Sequence, residues 1–455
     1  MAPKPRNAIM GTGRPAEHPS VSFAPAWCLT GLFLLAATAQ AQVAQQSLAV
    51  HGELTYVEQE DSDFNAPYAG ANSLTPDQGR ETVDLNLSVG AALWSGAQIW
   101  VNPEFDQGFG LDDTLGVAGF PNGEAYKVGA TRPYFRLQRL FVRETLDGDG
   151  EREPVAAAAG ALQGEQSANR WVLTIGKFAV TDIFDANDYA HDPRRDFLNW
   201  AAIDAGAFDY AADAWGYTVG AALERYQGPW AIRAGVFDLS DVPNSARLQS
   251  GFDEFQMLVE LEHRHELAGH PGKVLITGYE SRGRMGLLDE ATAVAIATDQ
   301  PADVADVRRY RGRFGGLINL QQELLAGLGI FARYSKAAGN VEAYEFSDID
   351  RSLAVGLSLQ GGRWRRRQDT FGLAFIDDGI SAAREQFLNA GGLGILVGDG
   401  KLPHPAAEQI LETYYSASLN PHAQVSFDYQ WIANPAYNGD RGPVSVFAVR
   451  VHAQF

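Results

Sequence analysis

The sequence feature that most constrains the fold is an alternation of apolar and polar residues with a period of two. In segment 83–89, apolar residues occupy every second position, and Asp84, Asn86 and Ser88 lie between them. The same pattern recurs further along the chain, in segments 255–262, 353–359 and 423–431. Successive side chains of a β-strand point to opposite faces. The alternation therefore predicts strands with one apolar face, and hence an all-β fold.

Two all-β architectures carry such strands, a soluble sandwich with its apolar face inward and a membrane barrel with that face outward. Candidate strands begin near residues 49, 82, 97, 134, 170, 214, 229, 254, 272, 308, 325, 350, 368, 409, 422 and 443. Their number is even, and many run for about ten residues, which is enough to cross a bilayer when tilted. Tight turns also alternate with longer polar stretches, as in barrels whose two rims differ. The sequence therefore predicts a transmembrane antiparallel β-barrel of 16 strands.

The C-terminal segment gives the sharpest local signal. Residues 444–455 alternate, with Phe447 and the terminal Phe455 on one face and Arg450 and His452 on the other. A terminal aromatic residue that closes an alternating strand resembles the C-terminal signature of bacterial outer-membrane proteins. This segment favours the barrel over the sandwich.

The N-terminal segment has the three parts of an export signal. Lys4, Arg6 and Arg14 precede an apolar stretch over residues 26–37, and an A-x-A cleavage site ends at Ala41. The apolar stretch is too short for a transmembrane helix, which needs about 20 residues. We therefore predict that this segment is removed on export.

This prediction divides the chain into a signal peptide, residues 1–41, and one barrel domain, residues 42–455. Both Met1 and Met10 are open as the start of translation. Cys28 is the one cysteine of the chain and lies in the signal peptide. The mature chain would then have no thiol for a disulfide, a cysteine-ligated zinc site or a cysteine nucleophile.

The charge and the motifs argue against several functions. The formal net charge is −20, and phosphate contacts need a basic surface, so we expect no nucleic-acid partner. His265 and His270 flank Glu266 but stand five residues apart, whereas the zinc-protease motif needs four. No G-x-S-x-G nucleophile turn occurs. We expect a protein that is not an enzyme and that needs no cofactor and no metal.

Three stretches of the chain carry a family resemblance. They are the segments Ile175–Phe178, Asp182–Ala190 and Arg194–Asn199, the strand Tyr134–Glu144, and the segments Glu412–Tyr415 and Gln430–Pro435 with the final strand. They resemble the carbohydrate-selective porins of the bacterial outer membrane, the OprB family, and the matching order spans roughly residues 50–455. The chain departs from the family pattern at Glu144, where a glutamine is expected, and in a polar, alanine-rich insert at 145–168.

The resemblance implies a narrowed pore in the cell outer membrane through which small sugars such as glucose diffuse downhill. Its partners would be those sugars and the surrounding lipid and lipopolysaccharide, and the barrel would be a monomer or a homotrimer. Two alternatives stay open: a general or anion-preferring porin of the same architecture, and a secreted glycan-binding β protein.

The first candidate wall residues lie in the strand 134–144. Arg139, Phe141 and Arg143 share a face opposite Leu140, so they line the lumen if the aliphatic face meets lipid. Such groups could hydrogen-bond sugar hydroxyls or lie against sugar rings. The alternative is that these arginines pair with wall carboxylates and hold the shape of the barrel.

A second set of candidates follows the next strand, where segment 192–200 combines charged, amide and aromatic side chains. An inward-folded loop of this chemistry would narrow the pore, whereas an ordinary capped turn would explain it equally well. The candidates in this loop are Arg194, Arg195, Asn199 and Trp200. Glu104 and Asp106 end another strand, and we expect them to face Arg139 across the lumen.

Overall fold

The computed structural model describes residues 46–249 and 251–455, in which 16 antiparallel strands close into one barrel. The predicted signal peptide, with Met1 and Met10, lies outside the described residues. The barrel strands are β1 (Leu48–Asp61), β2 (Gly79–Trp94), β3 (Ala97–Gly108), β4 (Ala130–Asp147), β7 (Arg170–Phe178), β8 (Thr218–Gln227), β9 (Trp230–Asp238), β10 (Phe255–Leu267), β11 (His270–Met285), β12 (Arg309–Leu325), β13 (Leu328–Ala337), β14 (Arg351–Gln360), β15 (Thr370–Gly379), β16 (Glu408–Asn420), β17 (Ala423–Ala433) and β18 (Val444–Gln454). Two short strands, β5 (Arg152–Val155) and β6 (Gly164–Ser167), form a separate hairpin between β4 and β7.

Each barrel strand pairs with its neighbour in the chain, and β1 pairs with β18 to close the sheet. The predicted number of strands is confirmed, and each predicted start lies within a few residues of an observed one. The largest offsets are at β4 and β8, which begin at Ala130 and Thr218. The closed barrel rules out the sandwich that the alternation alone had left open.

The barrel wall is apolar outside and polar inside, the reverse of a soluble protein. In β18, the outward Phe447 is 55% exposed, whereas the inward Arg450 and His452 are 1% and 2% exposed. In β2, Leu85 is exposed and the neighbouring Asp84 is buried. The period-two alternation thus divides a lipid-facing surface from the lumen.

The two rims of the barrel differ. Turns of two residues join β2 to β3, β8 to β9, β10 to β11, β12 to β13 and β16 to β17 at one end, which we call the short-turn rim. The opposite end, the long-loop rim, carries the connections 62–78, 109–129, 179–217, 239–254, 286–308, 338–350, 380–407 and 434–443. Two connections at the short-turn rim are longer. Residues 361–369 join β14 to β15, and residues 148–169, with the β5–β6 hairpin, form a long insert.

The connection 179–217, which we call the inner loop, folds back into the barrel. It contains the short helix α1 (Trp200–Ile203). Two further helices, α2 (Leu288–Thr298) and α3 (Ala382–Asn389), belong to other long loops. None of the helices in the described part of the chain has the length and the apolar composition that crossing a membrane requires.

Buried ion pairs hold the inner loop against the wall. Arg313 of β12 donates to Asp209 at 2.8 Å, and both side chains are fully buried. Arg333 of β13 contacts Asp185 at 3.2 Å and also donates to the carbonyl of Ala202. Polar contacts of this kind, together with buried aromatic rings, fill the space that an open barrel would leave to water.

Candidate functional site

Two adjoining cavities lie inside the barrel. The inner cavity has a volume of about 310 Å³, and a second cavity of about 790 Å³ lies toward the short-turn rim. Arg143, Ala161 and Asp182 border both cavities. The inner cavity is lined by Glu53, Asn86, Asn102, Arg139, Phe141, Arg143, Thr174, Phe178, Asp182, Asp192 and Arg194, and by residues 159–161 of the insert.

A β-bulge in β4 sets the position of Arg139. Asn102 of β3 lies opposite Arg139, whereas the next residue, Pro103, lies opposite Leu137, so Gln138 is the extra residue. A bulge of this kind bends the strand and redirects side chains. Gln138 is fully buried and Arg139 borders the inner cavity, so both neighbouring residues point inward.

Arg139 is held by an inner-loop carboxylate. Its Nε and Nη2 atoms donate to the two oxygens of Asp182 at 2.8 and 2.7 Å, a bidentate pair. The third nitrogen donates to Asn102 Oδ1 at 2.9 Å, and the guanidinium lies 4.8 Å from the ring of Tyr217. Burial would raise the pKa of Asp182, but the Arg139 charge and hydrogen bonds lower it below its ordinary value. The pair therefore stays ionised at neutral pH.

Phe141 and Arg143 join the wall to the insert. The Phe141 ring packs edge-on against Phe178 at 6.0 Å. Arg143 donates to the carbonyl of Gly160 at 2.7 Å and to Thr174 Oγ1 at 3.3 Å. The alanine-rich part of the insert thus forms the border of the inner cavity toward the short-turn rim.

Arg194 enters the inner cavity from the inner loop. It donates to Glu53 Oε2 at 2.6 Å and to Glu124 Oε1 at 3.1 Å. The neighbouring Arg195 is 44% exposed on its side chain and lies 3.8 Å from Glu53. Arg195 is not among the residues that border this cavity.

Asn199 and Trp200 also lie inside the barrel, but away from the cavity. Asn199 caps α1 by accepting from the amide of Ala201 at 3.0 Å, and its amide group donates to the carbonyl of Gly119 at 2.7 Å. Trp200 is 3% exposed and stacks on Phe120 at 5.3 Å. These two residues fasten the inner loop to the connection 109–129 through their contacts with Gly119 and Phe120.

The expected pairing of Glu104 and Asp106 with Arg139 across the lumen is wrong. Both acids lie on β3, the strand directly beside β4, and Arg139 pairs with Asp182 instead. Glu104 is fully buried and accepts from Asn86 at 3.1 Å, from Gln138 at 3.2 Å and from the Tyr126 hydroxyl. Which strands lie side by side depends on the strand order of the sheet, and the alternation of residues within one strand does not reveal that order.

Several cavity residues were missed by sequence reasoning. The inward positions of β1, β2 and β3 supply three of them, Glu53, Asn86 and Asn102, and their alternation with apolar neighbours was the signal that could have found them. Asp182 stands in a segment that carries the family resemblance, and Asp192 begins the candidate segment 192–200. Their partners come from other strands, so no local motif identifies them as wall residues.

Comparisons with known proteins add the following findings. The model of the carbohydrate-selective porin family, OprB, matches residues 71–455. OprB of Pseudomonas putida, in a high-pH structure, superposes with a TM-score of 0.66 at 15% identity, over 90% of this chain and 94% of that one. The outer-membrane channel DcaP of Acinetobacter baumannii gives a TM-score of 0.48 at 9% identity, over 92% and 100%. No curated protein matches the sequence.

Proposed function

The chain belongs to the OprB family of carbohydrate-selective porins, and we propose that its inner cavity is where sugars of the size of glucose are recognised on their way through. The protein is a sugar-selective porin of the outer membrane, and movement through it is passive diffusion. Its family and fold are those of channel proteins. We further propose that it catalyses no reaction and uses no cofactor.

The observation that supports a sugar site is the balance of charge in the inner cavity. Three arginines line it, and three carboxylates line it as well: Arg139, Arg143 and Arg194 against Glu53, Asp182 and Asp192. A wall of this composition offers many hydrogen-bond donors and acceptors without strong attraction for either sign of ion. Sugar hydroxyls both donate and accept, so they suit such a wall.

Phe141 and Phe178 border the same cavity with the small exposed parts of their rings, since the two residues are 5% and 1% exposed. Sugar rings have apolar faces that lie well on aromatic surfaces, whereas small ions gain little from them. The cavity volume is in the range of ordinary small-molecule sites. The equal number of positive and negative groups favours the sugar pore over an anion-preferring porin, which would need an excess of positive charge, and the aromatic rings favour it over a general porin.

The direct test is liposome swelling. Residues 42–455 are reconstituted in liposomes, and swelling in glucose is compared with swelling in an amino acid of equal size. We expect faster swelling with glucose. Equal rates would leave a pore without sugar preference, and no swelling from protein shown to be inserted would contradict the porin function.

Two further proposals concern export and assembly. We propose that residues 1–41 are a cleaved signal peptide, which N-terminal sequencing of protein from the outer membrane would test. The barrel would contact lipid and lipopolysaccharide through its apolar outer face. Whether it stands as a monomer or a homotrimer is measured by the mass of the protein–detergent complex.

A further inference from the structure

Three carboxylates meet on the inner wall between β2 and β3. Asp84 lies opposite Asp106 in the strand register, and Asn86 lies opposite Glu104. We call Asp84, Glu104 and Asp106 the acidic triad. Oxygen atoms from all three lie within 4.8 Å of one another. The three side chains are between 0% and 4% exposed, so water contributes little to their solvation.

The carboxylates of Asp84 and Asp106 lack any hydrogen-bond donor among the described residues. All four of their oxygens are buried and unpartnered. This is unusual, because buried polar atoms in folded proteins nearly always have a partner. Arg194, a nearby cation, is engaged by Glu53 and Glu124. The carboxylates of Asp84 and Asp106 therefore face each other with no positively charged side chain between them.

Buried carboxylates in this arrangement repel one another, and their charges are costly to keep out of water. A bound cation would remove both penalties together. Two oxygens that share one Ca²⁺ at about 2.4 Å can stand at most about 4.8 Å apart. The triad meets this limit.

We propose that the acidic triad is a binding site for a divalent, oxygen-preferring cation, of which Ca²⁺ is the best fit. The ligands would be carboxylate oxygens alone, and no histidine or cysteine belongs to the cluster. Such a ligand set suits Ca²⁺ or Mg²⁺ rather than Zn²⁺ or copper. Ca²⁺ is favoured over Mg²⁺ because it tolerates an irregular set of ligands, whereas Mg²⁺ demands near-ideal octahedral geometry.

The site is connected to the inner cavity by a chain of hydrogen bonds. Asn86 donates to Glu104 at 3.1 Å, Asn102 donates to Asn86 at 2.5 Å, and Arg139 donates to Asn102 at 2.9 Å. A cation on the triad would fix Glu104, and through this chain it would orient two amide groups in the cavity wall. The cation would therefore be a structural support of the pore, not a participant in transport.

The test measures Ca²⁺ binding by purified, folded protein in detergent, with no sugar present, so its result does not depend on the proposed sugar pathway. Isothermal titration with Ca²⁺ alone follows removal of metal with a chelator. The variants are Asp84→Asn and Asp106→Asn. The matched control is Asp378→Asn, because Asp378 is also fully buried with both oxygens unpartnered but lies outside the triad.

We expect one Ca²⁺ per chain for the natural protein and for Asp378→Asn, and binding weakened about tenfold or more in both triad variants. Thermal unfolding supplies a second measurement. Each triad variant loses one repelling charge, so it should unfold at a higher temperature than the natural protein in chelator. Ca²⁺ should raise the unfolding temperature of the natural protein and of Asp378→Asn, and it should raise that of the two triad variants less. No binding by the natural protein, or unchanged binding in the triad variants, would overturn the proposal.

Discussion

Replacement of Arg139 by alanine gives the most informative test of the inner cavity. The guanidinium has five N–H groups and donates four hydrogen bonds to the protein, two to Asp182, one to Asn102 and one to Tyr217, which leaves one N–H for a sugar hydroxyl. Its side chain is 22% exposed. A hydrogen bond to a charged group contributes about 1.5–3 kcal/mol. Because this group is partly solvated, we use the lower end of that range for one lost hydrogen bond to the sugar, about 1.5 kcal/mol, which is about tenfold in sugar affinity.

The assay is the block of ion current by sugar in a planar bilayer, where the half-blocking glucose concentration reports affinity. Arg139→Ala should raise that concentration about tenfold. Arg247→Ala is the matched control, since Arg247 is 82% exposed in a long loop. An unchanged half-blocking concentration in Arg139→Ala would refute the role of this residue in sugar recognition.

Loss of the arginine also changes the charge of the cavity, and a double variant separates this effect from the loss of hydrogen-bond donors. Arg139→Ala leaves Asp182 unpaired and gives the wall one excess negative charge, so cation selectivity should rise. The double variant Arg139→Ala/Asp182→Asn restores the balance but not the donors. We expect it to recover the reversal potential of the natural pore while keeping the weak sugar block. Recovery of both would mean that charge alone governs sugar passage.

Three further predictions concern the loops around the cavity. Trp200→Ala removes a 3% exposed ring stacked on Phe120, which should cost about 3–5 kcal/mol of loop packing and appear as larger, noisier single-channel currents. Burial raises the pKa of Glu124 to about 7 against the opposing effect of Arg194, so this carboxyl is neutral below that pH. Anion preference, read from the reversal potential, should therefore rise on acidification from about pH 8 to about pH 6, and Glu124→Gln should hold it at the acidic value. Deletion of residues 156–163 removes the border of the inner cavity at Gly160, so conductance should increase and sugar preference should fall; unchanged conductance would mean that the insert does not narrow the pore.

The barrel was predictable from the sequence because its signal is local. Each strand carries its own alternation, and the lipid-facing and lumen-facing residues of β2 and β18 can be assigned without knowledge of any other strand. The positions of Arg139, Phe141 and Arg143 follow from the same pattern. The bulge at Gln138 was not predictable, since it is visible only in the pairing of β4 with β3.

The contacts of the cavity could not be predicted, because they join segments far apart in the chain. Arg139 meets Asp182 and Arg194 meets Glu53, and neither partner is marked by a motif around the arginine. The roles of Asn199 and Trp200 depend on what the inner loop contacts. A polar and aromatic segment can line a pore or pack a loop, and only the neighbours decide between the two.

The way the inner loop is fastened bears on how the pore selects. Three wall arginines that contact the inner loop are at most 1% exposed: Arg313, Arg333 and Arg450. Arg313 pairs with Asp209, Arg333 pairs with Asp185, and Arg450 donates to the carbonyl of Pro193. Breaking a buried ion pair costs about 3–5 kcal/mol, so release of the loop would require several such losses at once. The inner loop that borders the cavity is therefore held rigidly. This favours selection of sugars by side chains in fixed positions over selection by a loop that opens and closes.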